Sequence, residues 1–189
     1  MSDTEKFFTL QQILKLRDDV HQTAVEKGWW PSSGYQNMTR DELDEKLFLV
    51  TTELAEAFEI YRSRRALTET WAGEGGKPEG FGVEMADAYI RILDLAGALE
   101  VSSLSFTRPP HEGRSLSGLM METTKALSRA SNVATAHGIQ GGLFANAISD
   151  SLFLVEEVCR QSGVDLLSLI ETKAAYNKTR PYRHGNKKA

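Results

Sequence analysis

Apolar residues recur along this chain at helical rather than strand spacing. Ile13, Leu14, Val20 and Ala24 share one face of a segment from about Leu10 to Lys27, at the intervals of an amphipathic helix. Gly28 stops that helix, and Trp29-Trp30-Pro31-Ser32-Ser33-Gly34 reads as a loop. Thr39 followed by Glu42 forms a capping box. It opens a second helix whose buried face carries Leu43, Leu47, Val50, Leu54, Ala57 and Phe58. The stretch from about Leu67 to Gly82 holds Gly73, Gly75, Gly76, Pro78, Gly80 and Gly82, and reads as a mobile connection. A third helix then runs to about Leu99, and a loop around Thr107-Arg108-Pro109-Pro110 separates two halves. Further helices are expected near Leu116–Ala136, Ala145–Gln161 and Val164–Lys178. Gly138, Gly141 and Gly142 break the first two apart, Asp165 sits near the start of the last, and Pro181 bars its extension. No segment alternates convincingly as a strand. The pattern predicts an all-α fold.

Two acidic signatures interrupt the apolar faces. Glu53-x-x-Glu56 lies inside LVTTELAEAFEIYRSRR, and Glu84-x-x-Asp87 inside GVEMADAYIRILDLAGALE. Residues three apart are neighbours on a helix, so each signature sets two carboxylates side by side. One such pair is ordinarily a solvated surface feature. Two pairs are harder to dismiss, because Met85, Ala86, Ala88, Tyr89, Ile90, Ile92 and Leu93 leave the third helix little room for a wet face. Four converging buried acids repel one another and lose hydration. A divalent metal between them answers both costs. Oxygen-only ligands suit Mg²⁺, with Mn²⁺ as a substitute, rather than zinc. A di-iron bundle needs Glu-x-x-His motifs, and His21, His111, His137 and His184 all lack a glutamate three residues before them. Mg²⁺ held by carboxylates completes its shell with water and substrate phosphates, which points to phosphoryl chemistry.

Composition narrows the field. At 189 residues the chain is one domain, or one domain with an internal duplication. A net charge of −4 argues against a general nucleic-acid binder. The single cysteine, Cys159, excludes an intrachain disulfide framework and reads as a small buried residue. No apolar run is long enough to span a bilayer. The first residues lack the order of a secretory signal, so a cytoplasmic protein without membrane or stable nucleic-acid partners is the expectation.

These residues closely resemble the MazG-like superfamily of all-α nucleoside triphosphate pyrophosphohydrolases, in which Glu-x-x-Glu on one helix precedes Glu-x-x-Asp on the next. The strings EMADAYIRILDLAG, HQTAVEKGWW and KAAYNKTRPYRHGNKK carry the resemblance. It extends from about His21 to Asn186 and is weakest between Glu100 and Ala145. It implies a helical bundle that hydrolyses an NTP or dNTP to the monophosphate and pyrophosphate. Glu53, Glu56, Glu84 and Asp87 would coordinate Mg²⁺, and Glu53 or Glu56 would position the attacking water as general base. The tail spacing implies triphosphate contacts for Lys173, Asn177 and Arg180, against the plainer reading of a solvated basic tail; Lys187 and Lys188 read as solvent-exposed. Small members of the family dimerise to build the bundle. A homodimer is therefore implied, although the second half here offers more of the bundle internally.

Other candidates have two readings each. Arg91, one turn beyond Asp87, is a phosphate contact or a salt-bridge partner of Asp87 or Asp94. Asp94 continues that face and orients Arg91 rather than binding metal. Lys46, two turns before Glu53, is placed to reach a phosphate. Trp29 and Trp30 either stack on a nucleobase, an interaction of about 1–3 kcal/mol in single-strand binders, or plug the end of the bundle. His21 bonds a base edge or is a satisfied structural histidine.

The second half echoes the first. LMMETTKALSRA aligns with LVTTELAEAFEI, and AISDSLFLVEEV with EMADAYIRILDL. Glu122 and Asp150 then match Glu53 and Asp87, but Lys125 replaces Glu56 and Ala147 replaces Glu84. No second complete metal site is expected on this alignment. The second half is expected to lend helices, and Lys125, to a single site. Two rival readings remain at this point: a non-catalytic helical regulator that binds nucleotide or metal, and an interaction module whose acids form surface ion pairs.

Overall fold

A computed structural model describes residues 7–30, 38–101, 104, 111, 113–139 and 141–186. The expected loop residues Pro31–Gly34 and Thr107–Pro110, and Lys187 and Lys188, lie outside the described residues. Helices dominate: α1 (Leu10–Glu26), α2 (Arg40–Arg62), α3 (Phe81–Ala98), α4 (Leu116–His137), α5 (Gly142–Ser162), α6 (Leu166–Thr179) and a single turn, α7 (Arg183–Asn186). No described helix is long and apolar enough to cross a membrane.

Local chemistry sets the helix starts. Thr39 and Glu42 form the expected capping box on α2, and Thr9 and Gln12 form an equivalent one on α1. Asp165 caps α6, accepting a hydrogen bond from Ser168 N. A left-handed Gly163 ends α5.

α3 is the axis of the bundle. Phe81, Met85, Tyr89, Ile92 and Leu93 have no exposed surface. α1, α2, α5 and α6 all pack against this helix, and α4 pairs with α5 as α2 pairs with α3. α1 closes on α3 at Gly97, where an added Cβ would lie 2.6 Å from His21 Cβ. That close approach packs α1 against the C-terminal end of α3.

The glycine-rich connection between α2 and α3 is built rather than loose. Trp71–Ala72 (β1) and Pro78–Glu79 (β2) form a short antiparallel pair. Gly75 and Gly76, with φ of +65° and +76°, make the tip. Trp71 Nε1 donates to Glu79 Oε2 at 2.8 Å, and Arg65 lies 4.5 Å from the Trp71 ring. The expected absence of strands is corrected here, as is the expected mobile connection. Period-2 alternation has no room to show in two-residue strands. Gly80 joins the hairpin to α3 with φ +144°, and a Cβ there would meet Glu69 O at 2.5 Å. Gly80→Ala is therefore expected to destabilise the protein by about 1–3 kcal/mol. A urea melt against wild type checks it.

Candidate metal centre and cavity

Three of the four signature acids converge. Glu53 on α2 and Glu84 and Asp87 on α3 each offer a carboxylate oxygen, and these oxygens lie within 4.8 Å of one another. Glu53 is 6% exposed and Glu84 3%, because Val50, Leu54 and Ala57 flank the first and the core helix α3 carries the second. Glu56 behaves differently. It is exposed and outside the triad, although it lines the adjoining cavity.

The triad is charged against itself. Burial, then the neighbouring Asp87 carboxylate, pushes Glu84 up from 4.5 to about 8. Burial also raises Asp87, with Glu53 adding to the rise and Lys173 opposing it. Lys173, only 2% exposed, reaches in from α6 to place Nζ 2.5 Å from Asp87 Oδ2. The contact is a buried ion pair. Arg91 reaches Glu53 Oε1 at 2.7 Å through both Nε and Nη2. Glu84 Oε2 is buried with no hydrogen-bond partner among the described residues. An orphaned carboxylate oxygen between two other buried acids fits a divalent cation. The all-oxygen donor set matches Mg²⁺ or Mn²⁺.

This electrostatic arrangement makes a prediction for the metal-free protein. A carboxyl group raised in the fold binds its proton more tightly when folded than when unfolded, so stability falls as pH rises from the unfolded value toward the folded one. For Glu84 that window runs from 4.5 to about 8. The thermal midpoint in EDTA is expected to drop between pH 5.5 and pH 8.5, and millimolar Mg²⁺ should reverse most of the drop at the higher pH. Differential scanning calorimetry reads both.

Next to the triad opens a cavity of about 400 Å³, walled by α1, α2, α3, α6 and the residues after α6. Such a volume suits a small-molecule ligand. Glu53, Glu56 and Asp87 line one part of it, and Lys46, Arg91, Lys173 and Arg180 supply positive charge. Asn177 also lines it, and its buried Oδ1 has no hydrogen-bond partner among the described residues.

The aromatic candidates divide. Trp30 is 4% exposed, its Nε1 donates to Asp94 Oδ1 at 2.6 Å, and Lys46 Nζ sits 4.4 Å from its ring centre. It is a wall with a cation on its face. Trp29 is partly buried, lines the cavity and meets His184 edge-to-face at 4.9 Å. His21 Nδ1 lies 2.8 Å from the same Asp94 oxygen, and His21 is absent from the described lining. Its place is structural, behind Asp94. Asp94 thus holds Trp30 and His21 rather than orienting Arg91, and Arg91 pairs with Glu53 rather than with Asp87 or Asp94.

The end of the chain closes the cavity. Arg183 Nε donates to Gly28 O at 2.7 Å, and Arg183 N to Lys27 O at 3.0 Å. Lys27 Nζ in turn donates to Lys178 O at 2.6 Å and Arg180 O at 2.7 Å. These bonds bring Arg180 and His184 into the wall. They also show what sequence reasoning missed: Lys27 is a clasp between chain ends, and Lys77 on the hairpin lines the cavity. The helical pattern gave no signal for either residue.

Among the described residues, the second half enters through α6 and, beyond it, Arg180 and His184. Lys125 is 61% exposed and donates to Glu122 at 3.0 Å, so the expected contribution of Lys125 to the site is corrected. Arg114 also pairs with Glu122, and Arg129 with Asp150. Glu122 and Asp150 are thus each paired with cations of the second half. No described residue of α4 or α5 lines the cavity.

Comparison with protein-family models, with curated proteins and with solved structures gives no match to this chain.

Proposed function

We propose that this chain is a Mg²⁺-dependent nucleoside triphosphate pyrophosphohydrolase of the MazG-like all-α type, converting an NTP or dNTP to the monophosphate and pyrophosphate. One observation carries the reading: a buried carboxylate triad with an orphaned oxygen beside a cation-lined cavity that has an aromatic wall. The order of the acid signatures on two helices packed against each other supports the bundle type.

Glu53, Glu84 and Asp87 would hold the cation. When bound, it supplies Lewis acidity toward the phosphate oxygens and lowers the cost of ionising water. Lys173, Arg91 and Arg180 then neutralise the triphosphate from the other side, and Trp29 offers a face to the nucleobase. Glu53 Oε1 is occupied by Arg91, so the exposed Glu56 is assigned the role of proton acceptor. The oxygen of a water molecule bonds to the α-phosphorus as its proton passes to Glu56. The bond from the α-phosphorus to the bridging oxygen breaks, and the electron pair leaves on pyrophosphate.

A nucleotide panel with Mg²⁺, resolved by ³¹P NMR, tests the reaction. Monophosphate and pyrophosphate are expected in equal amounts; orthophosphate as the first product would refute this cleavage. Glu56→Gln separates the roles of the acids. Its kcat should fall about a hundred- to ten-thousandfold, the range of general-base catalysis, while Mg²⁺ affinity measured by calorimetry stays close to wild type.

A further inference from the structure

Two turns before Glu53 on α2, about 10 Å of helix rise, Lys46 stands at the end of the cavity away from the triad. Its surroundings are apolar and aromatic. Leu49 follows Lys46 by one turn, Leu95 follows Asp94 on α3, and Val20 and Ala24 bracket His21 on α1; all four line the cavity. His21 and Trp30 both bond Asp94 Oδ1, at 2.8 and 2.6 Å, which draws these elements together. Lys46 Nζ lies 4.4 Å from the Trp30 ring centre.

Lys46 is half-buried, and among the described residues its ammonium makes no hydrogen bond and no ion pair. Burial, the largest influence, holds it below the ordinary lysine value. Asp94 and Glu45 oppose that fall, and Arg91 and Arg183 add to it. Asp94 is already committed to His21 and Trp30, and Glu45 is exposed. An ammonium carries three donors and no acceptor, and a ring face engages only part of that capacity. A ligand atom that accepts completes the group.

A phosphate is the poorer fit. Lys173, Arg91 and Arg180 already stand along the wall for the triphosphate, and an apolar end strips a phosphate of water at high cost. A nucleobase suits it. With the α-phosphate at the triad, a nucleoside extending to Lys46 brings up the base edge remote from the sugar. Uracil, thymine and guanine carry a carbonyl oxygen on that edge, whereas cytosine and adenine carry an amino group. The oxygen accepts from the ammonium; the amino group sets donor against donor. We propose that Lys46 selects keto nucleobases, so that uracil, thymine or guanine nucleotides are the preferred substrates, an inference that rests on the pyrophosphohydrolase reading above. Stacking falls to Trp29, because Lys46 occupies a face of Trp30.

Calorimetry with Mg²⁺ and two pairs of monophosphates, UMP against CMP and IMP against AMP, tests this without turnover. The members of each pair differ only along that edge. Whichever ring size the cavity takes, wild type should bind the keto member about tenfold or more tighter, the scale of a hydrogen bond to a charged group. Lys46→Met should bring the two affinities together, weakening the keto nucleotide and, with the donor clash removed, strengthening the amino one. Lys46→Arg, which keeps a donor, should restore most of the preference. In turnover, Lys46→Met should close the gap in kcat/KM between the matching triphosphates. Equal wild-type affinity within the pairs, or a preference that survives in Lys46→Met, would overturn the role of Lys46, while cleavage to monophosphate and pyrophosphate left the reaction standing. A preference lost in Lys46→Met, with no triphosphate cleaved by wild type, would uphold Lys46 as the base reader and overturn the reaction. A wild type that binds none of the four would overturn both.

Discussion

Asp87→Asn is expected to lower kcat/KM about a hundred- to a thousandfold, the scale of removing one group from a preorganised electrostatic site. Asp87 is the acid that both faces Lys173 and contributes to the triad. Its amide keeps the shape and removes the charge. The variant should also need far more Mg²⁺ to reach half-maximal rate, because two carboxylates hold a hard cation less well than three. Steady-state kinetics across a Mg²⁺ series separates the two effects. A variant with wild-type activity at every Mg²⁺ concentration would remove Asp87 from the site.

Lys173→Met carries the largest expected effect on stability. The lysine is 2% exposed and its ammonium sits against Asp87. Removing one partner of a buried ion pair typically costs about 3–5 kcal/mol, because the other charge is left uncompensated. Here Glu53 lies beside that charge and aggravates the loss. For a chain of this length the cost translates to roughly 6–20 °C in thermal midpoint. The diagnostic part is recovery. A divalent cation brings its own positive charge to the triad, so saturating Mg²⁺ should return a large share of the lost stability. Scanning calorimetry in EDTA and in Mg²⁺ reads both. A variant equally stable in the two conditions would mean that Lys173 and the metal do not share the triad.

The buried acids were legible because they break an apolar pattern. Glu84 and Asp87 both stay inside because α3 is the core helix, packed by α1, α2, α5 and α6. α2 is covered on one side only. Residues three apart differ by about 60° around a helix, enough to carry Glu56 past the edge of the buried face while Glu53 remains within it. A spacing rule sees neighbours; the width of the buried stripe decides which of them converge.

Arg91 and Asp94 depart from expectation for a related reason. Each has a plausible partner along its own helix, yet each pairs with another element: Arg91 with Glu53, and Asp94 with His21 and Trp30. The hairpin carrying Lys77 was hidden because glycine marks a permissive backbone without saying what is built from it. The clasp of Arg183 on Gly28 joins the end of α1 to the segment after α6, and no local pattern encodes such a contact.

The cation site itself is tested most directly by titrating Mn²⁺ into the metal-free protein and reading the free ion by electron paramagnetic resonance, with Glu84→Gln alongside. Glu84 is the right position to change, because its orphaned oxygen is the strongest sign of a missing partner. Wild type is expected to bind Mn²⁺ saturably, in competition with Mg²⁺, and the variant to lose at least about tenfold in affinity. Equal Mn²⁺ affinity in the two proteins, or none in wild type, would contradict it.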